Sequence, residues 1–252
     1  MAMSDNKLIS DTRERILDVA EHQFMANGYE GTSMRMITSA AAVNLAAVNY
    51  HFGSKEGLLR EVFRRRLSWL NKERLSILDA LEKRANGESL KPSQVLEAYF
   101  GTLLRIGEDE ALGGVPFLRL LGRTLTNPSE FIGAFFASEY AEVIERYKLA
   151  LIRSLPDTPR AEIIWRLHFM LGAMSYAIAG TDLLQVITGF EPGDDAGQET
   201  DSRTEARRLS GRLMPFLLGG LRAPLPDFTD SSGQNMNSLA KTGRDKNQEK
   251  KQ

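Results

Sequence analysis

Hydrophobic residues recur along this chain at spacings of three and four, which is the repeat of an amphipathic α-helix. The recurrence begins at Ile16, Val19, Ala20 and Phe24 and continues, segment by segment, as far as Leu217. No segment shows the strict alternation of apolar and polar positions that indicates a β-strand. The pattern therefore predicts an all-α protein.

The first three predicted helices occupy about 45 residues. The first runs from Asp11 to Ala26 and stops at residues 27–28, an Asn-Gly pair that tolerates the left-handed backbone of a helix end. The second opens after residues 31–33, and a turn at residues 40–43 leads into the third. Two short helices joined by a tight turn and braced by an earlier helix make a helix-turn-helix unit. Within the turn, Ala42 predicts a near-helical backbone, because a positive φ would strain its β-carbon.

The third helix, residues 44–52, has two different edges. Asn44 is a suitable N-cap, and the spacing of Leu45, Val48 and Phe52 predicts one buried face. The opposite face carries methyl groups, an amide, a phenol and an imidazole, namely Ala46, Ala47, Asn49, Tyr50 and His51. Such a surface suits contact with base edges, thymine methyl groups and phosphates. A small helix that only packs against its neighbours is the alternative.

A long helix follows, capped by Ser54 and running from about Lys55 to Lys83. It carries the basic run at residues 64–66, which is either a solvated surface or a distal phosphate contact. Beyond the Asn-Gly pair at residues 86–87, further helices are predicted at residues 92–106, 115–126, 128–154, 159–187 and 202–221, with a kink or break near Pro215 in the last.

The predicted helix at residues 159–187 is apolar around its whole circumference, so it must be covered on all sides. One subunit has few helices left to cover it, which favours self-association. Small residues within it would allow close approach of a second helix, namely Gly172, Ala173, Ala177 and Gly180. The last predicted helix offers apolar residues to pack beside it, namely Leu209, Leu213, Phe216 and Leu217.

Composition excludes several classes of function. The chain has 252 residues, no cysteine and three histidines without metal-ligand spacing, so neither disulfides nor a metal or cofactor site is predicted. No phosphate-binding glycine loop or nucleophile motif occurs, so the chain is not predicted to be an enzyme. The first ten residues lack a signal-peptide core and no apolar run is long enough to cross a bilayer, so we expect a cytoplasmic protein without a membrane partner. Net charge is −1 overall, +2 in residues 1–75 and −4 in residues 76–224, which permits a DNA-binding end.

The amino-terminal residues resemble those of the TetR family of bacterial transcription regulators. The similarity covers roughly residues 11–60 and is carried by Arg15-Ile16-Leu17, Phe24, Gly28-Tyr29, Thr32-Ser33, Ile37, Val43, Tyr50-His51-Phe52, Lys55 and Leu58-Leu59. Three positions depart from the family pattern: Ala42 and Ala46 replace glycines, and Asn49 replaces an aromatic residue that here stands at position 50. The resemblance implies a homodimer formed by the last two helices and a palindromic double-stranded DNA operator. It also implies that DNA is contacted by Ser33, Arg35, Asn44, Leu45, Ala46, Ala47, Asn49, Tyr50, His51 and Lys55.

Parts of the second half resemble the PsrA-type branch of that family, which responds to long-chain fatty acids. The similar stretches are residues 117–122, 165–173 and 213–217. Bulky, flexible or aromatic residues suit an acyl tunnel, although such residues are often plain core. We expect ligand contact from Phe117, Arg119, Leu121, Arg123, Phe135, Phe136, Tyr140, His168, Met170 and Met174, and Phe131, Tyr147, Trp165 and Phe169 belong to the same apolar set. One of the two arginines or the histidine would hold a carboxylate or a coenzyme A phosphate; the alternative is an ion pair with Glu139, Glu142 or Glu162.

The predicted organisation is a flexible terminus at residues 1–10, a DNA-binding domain at 11–55, a connector helix at 56–84, a ligand-binding and dimerisation domain at 85–224, and a disordered tail at 225–252. The predicted function is a repressor released from its operator by a hydrophobic effector, a long-chain fatty acid or acyl-CoA. A regulator of drug efflux, a helical interaction protein and a helical enzyme without a recognisable motif are the alternatives.

Overall fold

The computed structural model describes the backbone of residues 2–180, 187 and 201–227, and the side chains of all of these except residues 2–10 and 202. Within this part of the chain the regular structure is helical and contains no strand, as the hydrophobic pattern predicted. The described residues up to Leu221 form one compact unit. The end of the helix predicted at residues 159–187 lies outside the described residues except for Ile187, and so does the predicted tail beyond Asp227.

Ten α-helices build the described fold. They are α1 (Ala2–Gly31), α2 (Met34–Ala40), α3 (Leu45–Phe52), α4 (Lys55–Ala85), α5 (Pro92–Leu96), α6 (Thr102–Leu104), α7 (Gly114–Thr126), α8 (Glu130–Ser154), α9 (Arg160–Ile178) and α10 (Ser202–Leu221). A π-helical turn, Glu97–Gly101, joins α5 to α6, and two 3₁₀ turns, Arg105–Glu108 and Glu110–Leu112, lead into α7.

Side-chain caps fix the starts of the short helices. The Asn44 side chain accepts a hydrogen bond from the Ala47 amide at 2.8 Å, and that of Ser54 accepts from the Gly57 amide at 3.0 Å. Both caps were predicted from the sequence and both are confirmed. Gly28 has φ 71°, which bends α1 where the Asn-Gly pair was expected to end it. Helix α1 itself begins at Ala2, earlier than the predicted start at Asp11.

One local prediction is wrong, and of the kink or break expected near Pro215 the break is excluded. Ala42 has φ 52° rather than a helical value, because the turn between α2 and α3 needs one left-handed residue and the chain supplies no glycine there. Helix α10 continues through Pro215 without a break. A proline removes one backbone hydrogen bond from a helix, and this helix tolerates that loss.

The core is continuous from the amino-terminal helices to the carboxyl-terminal ones, with α4 at its centre. Helix α4 buries one apolar stripe against α1 and α3 near its start and against α8 and the π-helical turn further along. A close approach of α7 to α9 depends on Gly122, where an added β-carbon would lie 2.4 Å from the Ala179 nitrogen. None of the helices in the described ranges is long and apolar enough to cross a membrane.

Candidate DNA-binding surface and ligand cavity

Helix α3 buries one face and exposes the other. Val48 and Phe52 lie in the core, whereas Ala46, Asn49 and Tyr50 are exposed. Ala47 and His51 are half-buried at the edges of the exposed face. The prediction that Leu45 shares the buried face is wrong, because Leu45 starts the helix beyond the reach of α1 and α4 and remains 51% exposed. The exposed face therefore presents an amide, a phenol and an aliphatic side chain to solvent.

The turn before α3 is held to α1 by an arginine. The Arg15 guanidinium donates to the Ala41 carbonyl oxygen at 3.1 Å through its Nε. Since Ala41 closes α2, this bond sets the direction in which the chain enters the turn. Arg15 is one of the residues that carry the family resemblance, and nothing in the sequence pattern indicated this contact.

The predicted phosphate-binding residues surround the exposed face of α3. Ser33 and Arg35 lie at the start of α2, where the Ser33 hydroxyl accepts from the Met36 amide at 3.2 Å. Lys55 lies at the start of α4, and its ammonium stands 4.1 Å from the centroid of the Tyr29 ring. Neither Arg35 nor Lys55 forms an ion pair within the described part of the chain, so both retain charge for phosphates. Burial raises the pKa of Tyr29, and the neighbouring Glu56 raises it further.

The basic run at residues 64–66 is paired with acidic residues of the chain and is not a free basic surface. Arg65 binds Glu14, Asp18 and Glu21 of α1, and Arg66 also binds Glu21. Arg64 binds Glu61 and, at 3.4 Å, Glu139 of α8. The charges are therefore neutralised within the chain, and they join α4 to helices on both sides.

Most of the predicted ligand residues lie in the core around α4. The aromatic rings of α4, α7 and α8 form a chain of contacts with centroid separations of 5.3–6.2 Å, made by Phe63, Phe117, Phe135, Phe136 and Tyr140. Leu121, Met170 and Met174 are buried as well. The structure therefore brings the predicted aromatic residues together, but as a packed cluster.

The predicted polar anchors are dispersed. Arg119 forms an ion pair with Glu205 at 3.0 Å, so the expected ion pair exists with a different acidic residue. Arg123 donates to the Ala179 carbonyl oxygen at 3.2 Å and lines a polar pocket beside Tyr29. His168 is exposed, near the rings of Trp165 and Phe169. These three side chains do not converge on one ligand position.

An apolar cavity of about 240 Å³ lies between the α5 segment, α8 and α9. The residues that line it are Val95, Leu96, Tyr99, Phe100, Ile144, Tyr147, Lys148, Leu151, Ile164, Leu167, His168 and Leu171. Of the predicted ligand residues only His168 lines this cavity, together with Tyr147 from the wider apolar set. Four other lining residues, at positions 95–100, belong to an apolar run at residues 95–104. Such a run is equally typical of an ordinary hydrophobic core, so it did not indicate a cavity.

The wall formed by the π-helical turn is bonded to α4. The Arg74 Nε donates to the Tyr99 carbonyl oxygen at 2.9 Å, and the Tyr147 hydroxyl donates to the Arg74 carbonyl oxygen at 2.7 Å. Burial raises the pKa of both Tyr99 and Tyr147, and the Arg74 charge opposes that rise. These two hydrogen bonds connect the cavity wall to the long helix that leads to α3.

Two family models match this chain. Residues 16–62 match the model described as bacterial regulatory proteins, tetR family, and residues 97–220 match the model described as tetracyclin repressor-like, C-terminal domain. The two matched segments cover about two thirds of the chain. They correspond to α1–α4 and to the region from the π-helical turn to α10.

Individual relatives match over shorter segments. The HTH-type transcriptional regulator AcrR of Shigella flexneri is 36% identical over 63 residues, which are 25% of this chain and 29% of that protein. The probable HTH-type transcriptional regulator YttP of Bacillus subtilis (strain 168) is 37% identical over 51 residues, or 20% of this chain and 25% of that protein. The chain thus spans less than a third of the length of the curated relatives it matches. Among solved structures, that of a TetR-family transcriptional regulator from Agrobacterium tumefaciens is similar, with a TM-score of 0.49 and 18% sequence identity. The alignment covers 83% of this chain and 97% of that one.

Proposed function

The chain belongs to the tetR family of bacterial regulatory proteins, and from this premise we propose that it is a dimeric transcription repressor released from DNA by a small hydrophobic effector. The observation that carries the proposal is the exposed face of α3. A helix that buries Val48 and Phe52 while leaving the Asn49 amide exposed is suited to reading bases in a major groove.

The proposed DNA contacts divide into two kinds. Asn49 is the base reader, since an amide forms a bidentate pair with adenine, and the apolar residues Leu45, Ala46 and Ala47 contact base edges or thymine methyl groups. Phosphates are held by the flanking polar side chains, Ser33, Arg35, Tyr50, His51 and Lys55. Asn44 acts through its cap on the α3 amides and is itself exposed.

A homodimer is supported by the apolar surface of the last two described helices. Trp165 and Phe169 of α9 are 58% and 64% exposed, and Phe216 of α10 is 68% exposed. The spacing of exposed residues 165, 169, 172 and 176 is that of a helix-packing seam. A β-carbon on Gly172 would meet no atom of the described chain within 4 Å, which leaves room for a second helix. Two copies would place their α3 helices on a palindromic operator with half-sites about 34–36 Å apart.

The effector site proposed is the 240 Å³ cavity, because its walls are almost wholly apolar. Ligand sites for drug-sized molecules occupy roughly 300–1,000 Å³, so a compact effector fits the cavity better than a long-chain acyl-CoA does. A long-chain fatty acid requires the cavity to widen, and a hydrophobic drug of an efflux system remains the alternative effector. Release follows because the cavity wall is bonded to α4, whose displacement changes the separation of the two α3 helices.

The test is selection of bound fragments from a pool of random DNA duplexes by the full chain, followed by measurement of affinity against salt. We expect enrichment of an inverted repeat and a steep fall in affinity as salt rises, since each phosphate contact releases counterions. No enrichment, together with binding that does not change with salt, overturns the proposed function. Titration of the complex with alkanoic acids of increasing length then separates a compact effector from a long-chain one.

A further inference from the structure

Arg74 of α4 is a buried cation without an acidic partner in the described part of the chain. The residue is 1% exposed, and its hydrogen-bond partners are neutral: the Tyr99 carbonyl oxygen at 2.9 Å, the Asn71 amide oxygen at 3.5 Å and the Tyr140 hydroxyl. Two nearby acidic side chains, one on α8 and one on α4 itself, form ion pairs with other arginines. Glu139 binds Arg64, and Asp79 binds Arg146.

Such an arrangement is unusual because a buried charge is costly unless it is paired and hydrogen-bonded. Two aromatic rings compensate part of that cost. The Arg74 guanidinium carbon lies 3.9 Å from the centroid of the Tyr99 ring and 5.8 Å from that of Tyr140. The remaining positive charge makes this a site to which an anion would be strongly attracted.

The position of Arg74 connects this charge to the apolar cavity. Tyr99 and Tyr147 both line the cavity, and both contact Arg74. Tyr99 belongs to the π-helical turn Glu97–Gly101, and such turns within helices occur frequently at functional sites. The Tyr99 ring therefore separates an apolar cavity from a buried guanidinium.

We propose that Arg74 binds the carboxylate of a compact apolar monocarboxylic acid, whose hydrocarbon part fills the cavity once the Tyr99 ring moves off the guanidinium. The assignment deepens the proposed function and rests on it. A cavity of 240 Å³ has the volume of about eight water molecules. Since a methylene group is about as large as a water molecule, this volume matches the hydrocarbon chain of an acid such as octanoate. Because Arg74 lies on α4, the carboxylate would bind the helix that leads to α3.

A competing anchor lies in the cavity wall. Lys148 also lines the cavity, and its ammonium contacts Glu145. A carboxylate bound by Lys148 would remain near α8 and would not reach α4. Lys148 therefore provides the matched control for Arg74.

The experiment compares octanoate with 1-octanol, which has the same chain length and no charge, on the complex of the full chain with its selected DNA. For the unmodified chain we expect octanoate to release DNA at a concentration at least about tenfold lower than 1-octanol does, as a charge-assisted hydrogen bond provides. Arg74→Met should abolish that preference, Arg74→Lys should retain part of it, and Lys148→Met should retain all of it. Equal potency of the two compounds on the unmodified chain overturns the proposal, and so does a preference that survives in Arg74→Met or disappears in Lys148→Met.

A second measurement, the thermal stabilisation of the DNA-free chain by each compound, distinguishes failure of the carboxylate site from failure of the proposed DNA-binding function. Octanoate should raise the melting temperature of the unmodified chain and of Lys148→Met more than 1-octanol does, and should lose that advantage in Arg74→Met. Arg74→Met should fold, because replacement of buried charges by apolar side chains of similar volume is often tolerated. If it does not fold, the Arg74→Lys variant and the comparison of the two compounds on the unmodified chain still test the proposal. Failure to bind DNA with octanoate stabilisation intact overturns the proposed function alone, and DNA binding without octanoate stabilisation overturns the carboxylate site alone.

Discussion

The carbonyl oxygen of Phe52 stands 2.0 Å from the position that a β-carbon on Gly57 would occupy. Phe52 is the last residue of α3, and Gly57 lies in the first turn of α4, so this contact is the joint between the exposed reading helix and the connector. The close approach of the two backbones is possible only because residue 57 has no side chain. The start of α4 is therefore packed tightly against the end of α3.

Gly57→Ala should weaken both folding and DNA binding, since a backbone oxygen cannot move aside as a flexible side chain can. We expect a loss of about 1–3 kcal/mol in the free energy of unfolding, as for other overpacked sites. Urea denaturation gives this value, and the control is Gly133→Ala in α8, where an added β-carbon meets nothing within 4 Å. The control should be neutral or stabilising by up to about 1 kcal/mol. Equal effects of the two variants would show that the joint is not tightly packed.

Ala42→Gly should stabilise the protein, which is the reverse of the usual effect of this substitution. Ala42 has φ 52°, and a left-handed conformation costs a residue with a β-carbon roughly 1–2 kcal/mol. We therefore expect a gain of about 1 kcal/mol in the free energy of unfolding. Ala80→Gly, at an exposed position within α4, should lose roughly 0.5–1 kcal/mol. Destabilisation of the same size at both positions contradicts the strained turn.

Glu21→Gln should destabilise the contact of α1 with α4. The Glu21 carboxylate is 3% exposed and accepts from Arg66 Nε at 2.6 Å and Arg65 Nη1 at 3.0 Å. Breaking a buried pair typically costs about 3–5 kcal/mol. Glu14 also binds Arg65, but its side chain is 53% exposed, so Glu14→Gln should change stability by no more than about 1 kcal/mol. Chemical denaturation of both variants distinguishes the buried pair from the exposed one, and similar costs would show that burial does not matter here.

Alkaline pH should destabilise the fold through its buried tyrosines. Burial raises the pKa of Tyr99, Tyr140 and Tyr147, so above the ordinary tyrosine pKa of about 10 the unfolded chain loses protons that the folded chain keeps. The unfolded state then binds fewer protons, and stability must fall as pH rises. The fall in stability can be measured as the melting temperature at a series of pH values from about 8 to about 11, which brackets the ordinary tyrosine pKa. Tyr140→Phe should make the decline shallower, and an unchanged decline would assign it to other groups.

The helices and their caps could be predicted because they depend on local residues. Asn44 and Ser54 cap as expected, since their side chains satisfy amides only three residues away. Helix α10 ends at Leu221 as predicted, although Pro215 gave a misleading signal within it. Such features follow from hydrogen bonds and spacing within one segment.

The apolar cavity could not be predicted, because it depends on which segments of the chain pack against one another. Phe117 and Phe136 have the same composition signal as the cavity residues, yet both pack against Phe63 of α4. The π-helical turn that positions Tyr99 has no distinct sequence pattern. Arg74 lies four residues from both Leu70 and Leu78, so the helical repeat places it on the buried stripe of α4, but its charge is typical of a surface position.

The proposed contact of α3 with DNA bases depends on the exposed amide of Asn49. The most direct measurement is the affinity of Asn49→Ala for the selected operator and for random DNA of equal length, at one salt concentration. We expect a loss of about 1–3 kcal/mol on the operator and almost none on random DNA. Lys55→Ala, as the matched control, should weaken binding to both and reduce the salt dependence by about one counterion. Equal losses on both DNAs for Asn49→Ala, or none on either, would contradict base reading by α3.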